Sequence, residues 1–262
     1  MVGMGDSSQL SGRAALVTGA GSGIGKASAL LLAREGAAVA ALSRSESEVR
    51  ALAAQINESG GAALPLVADV SRVEQVREAV AQATRHFGRL DIVFANAGVN
   101  GVWAPIEDLT SEEWDQTIDI NLKGTFLTIK YAVPALKERG GSVIVNASVN
   151  GTRMFSNSGA TAYSVSKAGQ LAMAQMLAVE LARHNIRVNV ICPGATITEL
   201  GQNTEIRDIK KLSYGPRPGI PMGRAASADE IAQLVLFLAS DRSRYITGTP
   251  IWIDGGLSLV QG

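Results

Sequence analysis

The sequence predicts an α/β fold, a doubly wound and mainly parallel sheet of seven strands with helices on both faces, with residues 1–262 forming a single domain. Three observations carry this. Short β-branched or apolar runs alternate with longer stretches of helical periodicity, the pattern of βαβ units. S/T-x-x-E signals stand at the starts of four intervening segments. And 262 residues with 46% hydrophobic and 18% charged content bury a sizeable core at a length that open α/β sheets reach as one unit.

The strand segments are 14–19, 37–43, 62–68, 90–95, 142–147, 186–192 and 250–254. The capping signals pair Ser45 with Glu48, Ser71 with Glu74, Thr110 with Glu113 and Ser227 with Glu230. Two long helices are expected at about 110–138 and about 160–184. No Pro/Gly/Ser-rich linker divides the chain, and no repeat of solenoid period is present. The irregular part runs from Pro193 to Met222 and holds four prolines. Loops after the strand carboxyl ends shape the ligand crevice of such sheets, so 193–222 is the expected substrate lid.

The 24 basic residues balance the 24 acidic ones, which leaves no global field to recruit nucleic acid or an anionic membrane. A small-molecule partner is expected instead. The single cysteine, Cys192, cannot form an intrachain disulfide and reads as a space-filling residue beside Pro193. The opening MVGMGDSSQL has neither a basic nor an apolar leader region, and no apolar run reaches membrane-spanning length. A soluble, cytoplasmic protein is the expectation.

Directly after the first strand comes TGAGSGIG, Thr18 to Gly25, running into a helical stretch. Gly19, Gly23 and Gly25 permit a tight turn, a close backbone approach to a pyrophosphate and close packing of helix on strand. Strand before and helix after make this a Rossmann-type dinucleotide site rather than a mere turn.

The TGxxxGxG spacing resembles the short-chain dehydrogenase/reductase family, and the likeness continues along nearly the whole chain. It takes in Asp69 in ADV, NAG at 96–98, NLKG at 121–124, Ser148 in NASV, Tyr163 with Lys167, PG at 193–194 followed by Thr196 and Thr198, and DGG at 254–256. Ala95 departs from the family, which more often has asparagine there; a local packing or hydrogen-bonding role is what that affects. The resemblance implies an NAD(P)-dependent oxidoreductase that moves a hydride between nicotinamide and a carbonyl or secondary alcohol, with no metal. It also implies cofactor contacts at Gly19, Ser22, Gly23, Ile24 and Gly25, at Asp69 and Val70 beside the adenine, at Asn96, Ala97 and Gly98 along the ribose, and at Pro193, Gly194, Thr196 and Thr198 by the carboxamide. Asp69 reads equally as a turn residue before Ser71.

NAD enzymes of this architecture place a carboxylate at the end of the second strand. Here Ser43 holds that position and Arg44 follows, a guanidinium able to pair with a 2′-phosphate, so NADP(H) is favoured over NAD(H). The competing reading leaves Arg44 solvated and gives the ribose to Glu46 or Glu48, although Glu48 is already accounted for by the Ser45 capping signal.

Tyr163 and Lys167 stand at i and i+4 of a helix and therefore share a face. Such pairs also arise by chance; this one lies fifteen positions beyond Ser148 in a chain with a phosphate loop. Hydride transfer to a carbonyl needs a proton partner, and a tyrosine with a pKa of about 10 is a poor base at neutrality. Lowering it to about 7 takes about 4 kcal/mol. A cation about 4.5 Å away supplies about that much at an effective dielectric of about 20, while burial pushes the other way. On the family pattern, Tyr163 exchanges the proton and Ser148 hydrogen-bonds the reacting oxygen. Lys167 also holds the nicotinamide ribose, and Asn121 holds a relay water. Ser166 lies off that face. A structural role is open to each residue singly, as a cap, a helix-interior polar group or packing. A catalytically silent dinucleotide sensor on the same fold is the alternative function, and it has no need of all four residues.

Candidate substrate-pocket residues are Val99 to Trp103, Asn150 to Phe155 and the 199–222 segment, with Trp103, Met154 and Phe155 as an apolar wall and Arg153 either meeting a carboxylate or pointing to water. The resemblance further implies a homotetramer.

Overall fold

The computed structural model describes residues 8–199, 204–208 and 219–260. The strands are β1 Ala14–Thr18, β2 Ala38–Ser43, β3 Ala62–Val67, β4 Ile92–Ala95, β5 Val102–Trp103, β6 Gly141–Asn146, β7 Ile186–Pro193, β8 Glu205–Ile206 and β9 Pro250–Ile253. All seven expected strands join one sheet in the order β3-β2-β1-β4-β6-β7-β9, and every pairing is parallel. The short β5 and β8 pair separately, also in parallel. They were not expected.

The helices are α1 Gly23–Arg34, α2 Glu46–Glu58, α3 Val73–Phe87, α4 Ser111–Ile118, α5 Gly124–Leu136, α6 Thr161–Leu181, α7 Ala228–Ala239 and α8 Leu257–Val260. Alternate strand residues serve opposite faces, as strand geometry demands. Leu16, Val93 and Val143 pack with α3, α5 and α6, whereas Ala15, Ile92 and Ile144 pack with α1, α2 and α7. Both faces are therefore covered, which is why the strand runs read as nearly continuous apolar segments.

The expected 110–138 helix is α4 and α5 joined through a π-turn at Asp119–Lys123. The capping boxes at Thr110 and Ser227 form in full, each with backbone and glutamate bonds. The other two do not. Ser45 precedes α2 but its hydroxyl takes no helix N–H, and Arg72 rather than Ser71 precedes α3. Ser71 gives both its N–H and its O–H to Asp69 Oδ1, at 2.9 and 2.7 Å. A charged acceptor two residues away outcompetes the helix terminus.

The chain runs outward from β1 through β2 to β3, then returns to place β4 on the other side of β1. That reversal opens a crevice beyond the carboxyl ends of β1 and β4. Of the expected lid, residues 200–203 and 209–218 lie outside the described residues. Its Glu205–Ile206 stretch is strand β8, laid against β5 in the loop after β4.

Candidate active site

A cleft of about 780 Å³ fills this crevice. Of the eighteen expected cofactor residues only Gly25 does not line it. Gly25 is buried under the loop, where a Cβ would run into the Gly19 carbonyl. Gly19 has φ +64°, and a Cβ there would come within 2.9 Å of Ala97 Cα. Glycine is thus required twice over, by conformation and by the approach of the β4 loop.

Side chains stitch that approach together. Thr18 Oγ1 accepts the N–H groups of Asn96 and Ala97 at 2.9 and 3.0 Å. Asn96 Nδ2 donates to the Thr18 carbonyl at 2.9 Å, and Asn146 Nδ2 donates to Asn96 Oδ1 at 2.8 Å. The amino end of α1 then points its free N–H groups into the cleft, a fit for a pyrophosphate.

At the adenosine end, Arg44 is exposed beside Asp69. Asp69 is both things the sequence left open, a turn residue and a cleft residue. Burial works to raise its pKa, but the Ser71 hydrogen bonds and the charges of Arg44 and Arg72 hold it below the usual carboxylate value. Glu48 corrects the sequence reading. Released from the unformed Ser45 box, it lies against Gly21 and lines the cleft, so a carboxylate faces inward near Arg44.

The catalytic end gathers what the sequence separated. Ser148 follows β6, Tyr163 and Lys167 stand on α6, and all three line the cleft. The Ser148 hydroxyl accepts the Asn150 N–H at 3.1 Å, and it acts to lower the pKa of the Tyr163 phenol. Lys167 Nζ donates to the Asn146 carbonyl at 2.8 Å and stands 5.5 Å from the Tyr163 ring centre. Burial dominates both pKa values. It raises Tyr163 above its ordinary value against the lowering Ser148 bond, and it brings Lys167 down to about 8. At Tyr163 desolvation outweighs the Ser148 bond, the direction in which burial is expected to push a phenol. Buried Cys192, pushed up to about 11 by desolvation, is a protonated packing thiol.

Asn121 sits in the π-turn, completely buried. Its Oδ1 accepts the Val99 N–H at 2.8 Å, and its Nδ2 donates to the Val99 carbonyl and to Ser166 Oγ at 2.9 and 3.0 Å. Its own carbonyl accepts Thr125 Oγ1 and Gln170 Nε2 at 2.7 and 2.8 Å. Both lone pairs of that carbonyl are thus engaged, and Asn121 braces the β4 loop onto α6. Ser166, which the sequence reading puts off the Tyr163–Lys167 face, and Gln170, which it does not name, are the braces. The signal was present: Tyr163, Ser166, Lys167 and Gln170 repeat at i, i+3, i+4 and i+7.

The substrate end is corrected in two places. Met154 and Trp103 line the cleft as expected, but Phe155 is 75% exposed and away from it. Arg153 stacks its guanidinium 5.1 Å from the Trp252 ring centre and does not line the cleft. Asn150, Asn157 and Glu205 complete this wall. Among the described residues no cluster suits a metal ion, and no helix is long and apolar enough to cross a membrane.

Comparison with known proteins agrees with this geometry. The family described as enoyl-(acyl carrier protein) reductase matches residues 19–258. The chain is 40% identical over 252 residues to 3-oxoacyl-[acyl-carrier-protein] reductase of Thermotoga maritima, covering 96% of this chain and all of that one. It is 38% identical over 257 residues to levodione reductase of Leifsonia aquatica, covering 94% of each. The crystal structure of a 3-ketoacyl-ACP reductase from Sinorhizobium meliloti superposes with a TM-score of 0.90 at 50% identity, covering 94% of this chain and 99% of that one. With the phosphate loop, the buried Tyr163 and Lys167 and the all-parallel sheet in place, the chain belongs to the short-chain dehydrogenase/reductase family, oxidoreductases acting on CH–OH and C=O groups.

Proposed function

We propose that the protein reduces ketones to secondary alcohols with NADPH, using Tyr163, Ser148, Lys167 and Asn121. The observation that carries the reading is the convergence of the first three in one cleft with the glycine loop. The nicotinamide, when bound, supplies the hydride to the carbonyl carbon. Tyr163 gives its proton to the carbonyl oxygen, so hydride and proton together make the alcohol. Its raised pKa suits this direction, because a phenol kept protonated is poised as an acid. Ser148 donates to the same oxygen as negative charge gathers there. The Asn150 N–H on its Oγ leaves the hydroxyl hydrogen to point elsewhere. Lys167, held at the Asn146 carbonyl, keeps two further N–H donors for a ribose and for resupplying the Tyr163 proton. Asn121 fixes the relation of the Val99 loop to α6.

Arg44 is the group for a 2′-phosphate. The inward Glu48 favours a second reading, with NADH bound through its ribose hydroxyls. Fluorescence titration with both cofactors separates the two: NADPH should bind at least tenfold tighter, and an NADH preference of that size would reverse the assignment. Tyr163→Phe should lower kcat by a factor of about 10²–10⁴ with cofactor affinity retained; turnover near that of the parent protein would refute the acid role.

The same reading includes a lid formed by residues 193–222, a homotetramer and a cytoplasmic setting. Glu205 on the cleft wall supports the lid. Met176 and Val179, 72% and 80% exposed on α6, support burial against another copy, which light scattering would register.

A further inference from the structure

We infer that Thr152, seated by Gly151, is a positioning residue for Ser148: it ties the Ser148 backbone to strand β9 and so holds the hydroxyl where it meets the oxygen that Tyr163 protonates. This rests on the reading of Ser148 as a donor to that oxygen, and it assigns the part of the chain that keeps the donor in place.

Ser148 stands on a tight turn beyond β6. The Val149 carbonyl accepts the N–H groups of Arg153 and Met154 at 3.0 and 2.9 Å, and the Gly151 N–H closes the turn on the Met154 carbonyl at 3.0 Å. The Asn150 N–H on Ser148 Oγ belongs to the same turn. Whatever anchors the turn therefore anchors Ser148.

Two anchors are present. Gly151 has φ +79°, and a Cβ there would run into the Ser164 carbonyl oxygen, so the turn lies backbone on backbone against α6 at the residue after Tyr163. The second anchor is Thr152. Its Oγ1 donates to the Ser148 carbonyl and accepts the Trp252 Nε1–H at 3.3 Å. Both directions are forced, because an indole N–H only donates and a carbonyl only accepts. Trp252 lies on β9 in register with Cys192 of β7, and the Arg153 guanidinium covers its ring. The sheet thus reaches Ser148 through one hydroxyl. Gly151 sets how near the turn comes to the helix of Tyr163, and Thr152 holds the Ser148 end of it. A valine of the same shape makes neither bond, and a serine makes both.

The test is steady-state kinetics on the whole protein at neutral pH with saturating cofactor, using the best substrate among ethyl acetoacetate, cyclohexanone and acetoacetyl-CoA. Thr152→Val should lower kcat about tenfold and leave KM and cofactor affinity within about twofold, the mark of an interaction made in the transition state. Thr152→Ser should restore kcat. Trp252→Phe, which keeps a ring under Arg153 and loses the N–H, should fall between. In a Ser148→Ala background Thr152→Val should cost nothing more, because residues that act through one another are not additive. Equal losses in both backgrounds, or no loss in either, would overturn the positioning role and leave the reductase reading standing.

A second readout needs no turnover. With fluorotyrosine in place of tyrosine, the fluorine NMR signal of Tyr163, assigned by its absence in Tyr163→Phe, should titrate at higher pH in Thr152→Val and at the parent's pH in Thr152→Ser. Ser148 acts to lower that pKa, whereas Lys167 and Cys192, which also face the phenol, are left unaltered by the substitution. An unchanged titration would overturn the positioning role. A shifted titration in a protein that binds cofactor and turns over none of the ketones would support it and overturn the reductase reading alone.

Discussion

The two ends of the cleft are built on different principles. At the catalytic end, Ser148, Lys167, Asn121 and Ser166 are buried, and each hydrogen-bonds another protein group. At the adenosine end, Arg44 and Glu48 reach over the rim from exposed positions. Geometry fixed by packing can place a proton within a few tenths of an ångström, as chemistry requires. Charges at an exposed rim only bias which nucleotide docks, and salt screens them. Catalysis should therefore be sensitive to single deletions, and cofactor choice gradual and tunable.

The sharpest way to break this contrast is Ser148→Ala. Removing one donor to the reacting oxygen should cost about 10²–10³ in kcat. A loss below tenfold in steady-state assays would mean that the catalytic end is no more preorganised than the rim. Next comes pH. Lys167, lowered to about 8 by burial, is protonated below that value and loses its charge as pH rises through it. If its ammonium serves the reaction, kcat should fall about tenfold per unit above about pH 8. Lys167→Arg should move that limb upward, and a flat profile to pH 9.5 would separate activity from the charge.

At the other end the effects shrink. Arg44→Ala should weaken NADPH about tenfold, about 1.4 kcal/mol, and leave NADH nearly unchanged. Glu48→Gln should tighten NADPH by a smaller factor. Titrations at two salt concentrations should show both effects fading as salt rises. Smallest is the comparison of two caps. Ser227→Ala should cost about 1 kcal/mol in urea denaturation, because its hydroxyl accepts the Glu230 N–H at 3.3 Å within a complete box. Ser45→Ala, whose hydroxyl caps nothing, should cost a few tenths at most.

Legibility in the sequence followed the same division. Tyr163 and Lys167 could be placed because helix geometry leaves i and i+4 no choice of face, and Ser148 because a strand end fixes where the next residue goes. The seven strands were readable for a related reason: burial on both faces leaves almost nothing but apolar residues in them. Glu48 was misplaced because a capping signal states what a glutamate can do, not what wins. At Ser71 the winner was Asp69, two residues away. Arg153 and Phe155 depended on a partner distant in sequence, Trp252, and on the course of an irregular loop. Strand β8 has two residues and no periodicity to reveal it.

The asparagine thread has one further consequence. Thr18 on β1, Asn96 after β4, Asn146 on β6 and Lys167 on α6 are joined hand to hand. The first belongs to the opening quarter of the chain and the last to its second half. During synthesis or refolding the lysine cannot find its seat until the middle of the sheet has docked and Asn146 is held in register. On the proposed reading, a chain arrested partway would carry the glycine loop without a seated Lys167 and would bind a reduced nucleotide without turning it over. Recovery of activity on refolding should accordingly trail recovery of nucleotide binding.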